Sequence, residues 1–496
     1  MASSPTAVYT GRMDPYIKRI ATVVVLGMIL SILDMTIVNV ALDSLSRDLH
    51  TSLASVQWVV SAYLLALAAV IPLAGWAVKK FGAFRVYMYA LVLFTLGSAL
   101  CGLASSTGEL IAFRVLQGLG GGLLAPTGMT ILVKATGHEN LPKVMAAIGV
   151  PMVLAPILGP TLGGFLLQSV GWHAIFLVNV PVGIATGIVA LRLLPRDRPE
   201  PEAAGALDWP GLVLAAAGTV GITYGLSQSA SAGSFTSTSV VGPILVGCLC
   251  IAGFIKRSRR LANPLLDLKL YSVRVYSAAT VVMFCMGAVS FGAMLLLPLF
   301  FQDVRGDDAL RTGILLIPQG IGGAFGMNRS AAAIRRFGAG LTSVIGLTIL
   351  VAATAPFLFI GPSTSYWTIS MIMVVRGVGI VLAAMPAMTA AFSSLTHDQV
   401  GDASPQLNII QRVGGSLGTA IVAVVLQDNL AHATSTSNGH PSPAAVAHAF
   451  NQTYLWVIVI SILAFIPGVA LWRLERRSRV EGYEPVGAPE LMEIVT

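Results

Sequence analysis

The sequence predicts an all-α membrane protein of 14 transmembrane helices, on three observations. Of its 496 residues, 55% are hydrophobic and only 10% are charged, with a mean hydropathy of +0.81. A soluble domain carries roughly 25% charged residues. The apolar residues fall in separate runs of about 20, long enough to cross a bilayer as helices. The runs do not alternate polar with apolar, as strands of a membrane barrel would, and in lipid a helix satisfies its own backbone polar groups.

In chain order the spans are read at 18–42, 54–78, 83–104, 108–134, 142–168, 172–194, 207–228, 238–256, 275–301, 309–333, 339–360, 366–392, 402–427 and 449–473. The first run is too long for a secretory h-region and has no small-residue cleavage site after it, so it reads as a retained span. Charged, Pro-rich "LPRDRPEPEAAGALDW" separates the sixth and seventh spans, and "IKRSRRLANPLLDLKLYSVR" the eighth and ninth. Of the 30 Lys and Arg, Arg47, Arg305 and Arg311 fall on loops of the far face. Arg114, Arg329, Arg376 and Arg412 fall within spans, and the rest lie on the N-terminal side. This is the positive-inside bias. It predicts a cell (inner or plasma) membrane protein with both termini cytoplasmic, and it accounts for the net charge of +8 without nucleic acid.

An internal repeat organises the spans. "AVKKFGAFR" (77–85) recurs as "AIRRFGAGL" (333–341), an offset of 256, and both copies close the second span of a half. "RVLQGLGGGLLAPTGMT", from Arg114, is echoed by "RGVGIVLAAMPAMT", from Arg376. The expected organisation is a six-helix bundle at 18–195, a linker with two extra helices at 196–271 and a second six-helix bundle at 272–476. Cytoplasmic segments at 1–17 and 477–496 flank them. Parallel repeats about an axis along the membrane normal are a transporter architecture, with substrate held between the halves near midplane.

These motifs carry a resemblance. "LDMTIVNVAL" (33–42), "GWAVKKFGAFR" (75–85), "RVLQGLGGG" (114–122), "GVPMVLAPILGPTLGG" (149–164) and "LNIIQRVGGSLGTAI" (407–421) stand in order on the first, second, fourth, fifth and thirteenth spans. Together they resemble the major facilitator superfamily, and within it the 14-span drug:proton antiporters of the EmrB/QacA type. The resemblance covers nearly the whole chain. It implies a proton-coupled exporter of amphipathic, often cationic drugs working by alternating access.

Asp34 is the only acid in the interior of a span. An intramembrane charge costs at least about 2.5–3.5 kcal/mol and usually faces a bundle interior. Burial favours the neutral form of a carboxyl and a nearby cation the anionic form, so a group poised between them can load and release a proton as access changes. Arg114 is the candidate cation. Asp34 lies about eight residues (~12 Å) from the outer end of its span and Arg114 about six (~9 Å), at similar depth. The resemblance implies a proton-transfer role for this arginine; a static pair tying two helices together is the alternative.

The loop motif departs from the superfamily pattern, since Lys79-Lys80 stands where an acid is usual at Lys79. In the family that acid is thought to lock the cytoplasmic side, so the lock is in doubt here. Gly75 and Gly82 still permit close helix approach. Lys79, Lys80 and Arg85 serve either gating or orientation and anionic lipid contact. In the second copy, Asn328 and Arg329 have no assignable role. On the fifth span, Pro151, Pro156 and Pro160 invite bending, and Gly159 and Gly163 form a small face for tight packing, which suits a gate. Polar residues within spans mark the expected cavity: Asn39, Gln57, Trp58, Tyr63, Gln117, Asn408, Gln411 and Arg412. The last three share one face of their helix. Helix–helix contact or interfacial anchoring is the alternative for each.

"GLGGG" (118–122) and "GGSLG" (414–418) evoke nucleotide loops but follow no strand. Gly-Lys occurs nowhere, so no Walker A motif is present and ATP drive is not expected. The seven histidines show no metal spacing, Cys248 and Cys250 point to different faces, and no nucleophile–base set lies inside the spans. The expectation is a non-enzyme without cofactor or metal, driven by the proton gradient. Its partners would be small-molecule drugs or metabolites, protons and membrane lipids. The segment 427–449 is expected to be external and mobile, either meeting a periplasmic adaptor protein or meeting nothing. The rival readings are an exporter of a specific natural product, siderophore, fatty acid or lipid, and, more distantly, a non-transporting receptor or assembly protein.

Overall fold

The computed structural model describes residues 14–199, 201–261, 264–396, 399–436 and 441–480. The side chains of residues 137–157 and 160 lie outside that description, as do most of the predicted terminal segments 1–17 and 477–496. Every regular element among the described residues is helical.

The first group comprises α1 (Pro15–Ile37), α2 (Leu42–Asp48), α3 (Leu53–Val70), α4 (Leu73–Phe81), α5 (Ala83–Cys101), α6 (Thr107–Ser169), α7 (Trp172–Leu177) and α8 (Asn179–Leu193). The inserted elements are α9 (Pro201–Ala204), α10 (Trp209–Ala232) and α11 (Thr238–Ser258). The second group comprises α12 (Arg274–Leu299), α13 (Ala309–Phe337), α14 (Ala339–Thr354), α15 (Tyr366–Ser393), α16 (Val400–Thr436), α17 (Pro443–Leu463) and α18 (Phe465–Val480). Side-chain oxygens cap the orphan amides at several starts: Asp14 accepts from Tyr16 N, Ser106 from Glu109 N and Asp308 from Arg311 N.

Among the described residues, eleven helices are long and apolar enough to cross a membrane, or twelve if α3 and α4 count as one span bent by 57°. The bend falls at Ile71-Pro72, where the sequence suggested one straight run over 54–78. The predicted span 309–333 lies in α13, which is helical but falls short in apolarity. The predicted span 142–168 lies in the second part of α6, mostly among the undescribed side chains. No loop separates it from the span before it. The chain still doubles back there. A Cβ on Gly121 or Gly128 would meet Ser31 or Val24 of α1, moving down that helix, whereas one on Gly159 or Gly163 would meet Thr36 or Ile37, near its far end.

The sequence repeat has a geometric counterpart. Gly82 and Gly338 each end one helix and start the next at φ +85° and +87°, a conformation that a Cβ disfavours. An acid from much later in the chain caps each new helix. Asp197 accepts from Ala83 N (2.6 Å) and Phe84 N (3.1 Å), and Glu475 accepts from Ala339 N (3.0 Å) and Gly340 N (2.6 Å).

The two bundles meet where α13 packs along α6 and where α16 packs against α4 and α6. Helix α10 of the inserted pair touches both α3 and α16. The segment expected to be mobile at 427–449 is largely helical: α16 runs on to Thr436 and α17 starts at Pro443, with 437–440 outside the described residues.

Candidate functional site

Five helices of the first bundle converge on one buried carboxylate. Asp34 and Arg114 are both 0% exposed, and Arg114 Nη1 donates to Asp34 Oδ2 at 2.5 Å. Oδ1 accepts from Gln117 Nε2 (2.9 Å) and from Asn179 Nδ2 of α8 (3.0 Å). The other hydrogens of these two amides go to Ser98 Oγ of α5 at 3.0 and 3.1 Å, and Ser98 donates to the Phe176 carbonyl. Arg114 Nη1 also donates to Gln117 Oε1 (2.8 Å), and Nε to the Val59 carbonyl of α3 (3.0 Å). The guanidinium lies 4.1 Å over the Tyr63 ring, a cation–π contact strengthened by the absence of water. Close packing permits the convergence. A Cβ on Gly97 would stand 2.7 Å from the Gln117 backbone, so α5 and α6 touch where Gln117 and Ser98 meet.

Every neighbour of Asp34 in this network is a donor, so the arrangement fits the ionised carboxylate. Removing the charge would weaken all three bonds, the ion pair with Arg114 most. That makes the cluster a charge-sensitive clasp joining α1, α3, α6 and α8 within the membrane.

The other expected cavity residues are dispersed. Tyr63 and Gln117 belong to the cluster. Asn39 is exposed, with Nδ2 on the Met35 carbonyl at 3.4 Å. Gln57 is exposed, and Trp58 stacks on Tyr224 of α10 at 5.9 Å, facing the inserted pair. Asn408 donates to the Ser404 carbonyl (2.9 Å), Gln411 lies where α16 abuts Gly287 of α12, and Arg412 reaches Met35 Sδ of α1 at 4.0 Å. Arg412 is therefore a cation at the contact between bundles, next in space to the residue that follows Asp34. Asn328 and Arg329 are exposed, Arg329 over the Phe325 ring.

At the basic face the bundles share a contact the sequence did not disclose. Lys79 Nζ pairs with Asp402 Oδ2 of α16 at 2.5 Å. A Cβ on Gly75 would lie 3.0 Å from Asp402, and Ser404 Oγ donates to the Pro126 carbonyl at 3.0 Å. Lys79, which stands where the family's acid is usual, thus pairs across the bundles: the first supplies the cation and the second the acid. Lys80 is half-buried and Arg85 exposed. On α6, a Cβ on Gly159 would lie 2.0 Å from Thr36 Oγ1 and one on Gly163 2.9 Å from Ile37, a tight packing face on α1. The side chains of Pro151, Pro156 and Pro160 lie outside the described residues.

A family model described as Major Facilitator Superfamily matches residues 24–419. The chain belongs to the Major Facilitator Superfamily. Its curated relatives include a "Multidrug resistance protein B homolog" of Mycobacterium tuberculosis (strain CDC 1551 / Oshkosh), 37% identical over 86% of this chain and 79% of the relative. The "Tetracenomycin C resistance and export protein" of Streptomyces glaucescens is 31% identical over 86% and 78%. Among solved structures, the superfamily's proton:xylose symporter XylE superposes with a TM-score of 0.59 at 13% identity, covering 90% of this chain and 95% of that one. As a Major Facilitator Superfamily member with multidrug-resistance relatives, the chain is a multi-pass membrane transporter rather than an enzyme, and it binds small molecules.

Asn179, Ser98 and Asp402 join these contacts, and the sequence singled out none of them. Asn179 and Ser98 are small polar residues of a kind common in spans, and only their convergence gives them meaning. Asp402 stands at a span end, where an acid is cheap and attracts no notice.

Proposed function

We propose that this transporter is a proton-driven exporter of amphipathic compounds, coupled through Asp34 and Arg114. The observation that carries the reading is the donor-only surroundings of Asp34 at mid-membrane. Protonation removes the charge that Arg114, Gln117 and Asn179 are arranged around. Arg114 then loses its counter-ion and must turn toward other acceptors, and it pulls on the Val59 carbonyl of α3 that its Nε holds. Helix α3 continues through the bend into α4, whose Lys79 closes the basic face. Proton arrival and opening of that face thus act on one broken span. The protein's own groups suffice, with no cofactor. The membrane potential supplies about 2.3 kcal/mol per charge per 100 mV, and the pH gradient adds roughly 1.4 kcal/mol per unit.

The positive-inside bias of the basic loops supports a cytoplasmic side of the cell membrane for the lock and for both termini. The acid at the contact between bundles, Asp402, is already paired with Lys79, and Arg412 adds a cation there, so neither group favours a cationic solute over a neutral one. The class supported is therefore amphipathic, with aromatic and Met side chains taking its apolar body.

The test is substrate-evoked proton release by purified protein and proton-driven dye uptake in proteoliposomes, for wild type and Asp34→Asn. The variant is expected to stay folded and to lose both signals. Undiminished coupled flux in a folded Asp34→Asn protein refutes the proposal, and absence of any solute flux in wild type favours a receptor or assembly role.

A further inference from the structure

The second bundle repeats the arginine but not its acid. Arg376 of α15 heads the echo of the segment that Arg114 heads. It is 1% exposed, as deeply buried as its counterpart. Arg114 has Asp34 from α1; Arg376 has Nη1 on Gln319 Oε1 of α13 at 2.8 Å, and its Nε and Nη2 have no partner among the described residues. The Tyr454 hydroxyl of α17, 0% exposed, also lacks a partner and lies within electrostatic reach of the guanidinium. Tyr454 is held in place by stacking on Phe357 at 4.8 Å. No Asp or Glu occurs anywhere in α12, α13, α14, α15 or α17.

A guanidinium cannot shed its proton to escape burial, and a buried charge left without a counter-ion is strongly unfavourable. Three groups from three helices, with donors to spare and no acid among them, form a receptor for negative charge. Each lies about ten residues, ~15 Å, from the outer end of its helix, so the site is near mid-membrane. Arg412 Nε is likewise unpartnered, so the second bundle carries a second unmatched cation at its contact with the first.

We propose that Arg376, Tyr454 and Gln319 bind the anionic group of a transported solute, a carboxylate or phenolate on an aromatic body. Arg376 offers two N–H donors to the anion, Tyr454 offers its O–H, and Gln319 positions the guanidinium. This deepens the exporter reading and rests on it for the word transported; the anion site stands on the three side chains alone.

Equilibrium binding to the purified full-length protein, with naphthalene-1-acetate and its uncharged match naphthalene-1-acetamide as probes, tests it without requiring flux. Wild type is expected to bind the carboxylate at least about tenfold more tightly than the amide. Arg376→Gln removes that preference, Tyr454→Phe reduces it about threefold, and Arg376→Lys, which keeps the charge should the glutamine variant fail to fold, retains part of it. Equal affinity of wild type for the two probes overturns the proposal, as does a preference undiminished in folded Arg376→Gln. Saturable chloride binding in place of a carboxylate preference also overturns it, by giving the site to an inorganic anion. Proton-driven uptake of both probes in proteoliposomes is measured separately: a carboxylate preference in binding with no flux of either probe counts against the exporter reading and leaves the anion site intact.

Discussion

Breaking the Lys79–Asp402 pair should open the basic face. The perturbation is Lys79→Met. The ammonium sits 2.5 Å from the carboxylate, with side-chain exposures of 32% for Lys79 and 9% for Asp402. Fully exposed pairs contribute about 0.2–1 kcal/mol. One partner here is nearly dry, so about 1–2 kcal/mol is reasonable, a factor of about 5–30 in a two-state ratio. The two ends are unequal. Lys79→Met strands a nearly dry carboxylate that gains water only by opening, whereas Asp402→Asn leaves an ammonium that already reaches solvent. Lysine removal should therefore open the face more than acid removal. The assay is labelling of Ala403→Cys, a buried position beside the lock, by a membrane-impermeant maleimide in a background without the four native cysteines. Lys79→Met is expected to raise the labelling rate about 5–30-fold, Asp402→Asn by less, and the swapped pair Lys79→Asp with Asp402→Lys to restore much of the protection. Equal rates in Lys79→Met and its parent, or no recovery in the swapped pair, refute the reasoning.

Two further outcomes follow from the geometry. Arg114→Gln leaves Asp34 buried without its cation, a loss of about 3–5 kcal/mol, seen as a large fall in melting temperature in detergent. Arg114→Gln combined with Asp34→Asn should recover much of that stability while remaining uncoupled, and a double variant no more stable than Arg114→Gln alone would count against the pair. Asp197→Asn and Glu475→Gln each weaken a helix cap and should cost about 0.5–2 kcal/mol. Their effects should add within about 0.5 kcal/mol because the caps share no partner, and chemical denaturation of the double variant checks this.

What the sequence disclosed here followed from cost. A carboxylate and a guanidinium inside apolar runs are expensive enough to be conspicuous, and counting residues at 1.5 Å each puts Asp34 and Arg114 at one depth. The repeat was legible because the turn at Gly82 and Gly338 demands the same unusual backbone twice. Partners that cost little alone stayed hidden. Asn179 and Ser98 acquire a role only through contacts 145 and 81 residues apart in sequence, and Lys79 meets Asp402 across 323. Trp58 and Gln57 resemble cavity residues because polarity within a span does not report which neighbour a face will meet, and for Trp58 that neighbour is α10.

The 57° elbow at Ile71-Pro72 has a mechanical corollary. Lys79 sits eight residues beyond Ile71, a lever arm of ~12 Å, so a swing of ~15° about the elbow carries its ammonium ~3 Å. That travel exceeds the whole length of the ionic contact at its tip. A small rotation about the elbow is therefore enough to part the pair, so the opening proposed for this transporter should be abrupt rather than graded.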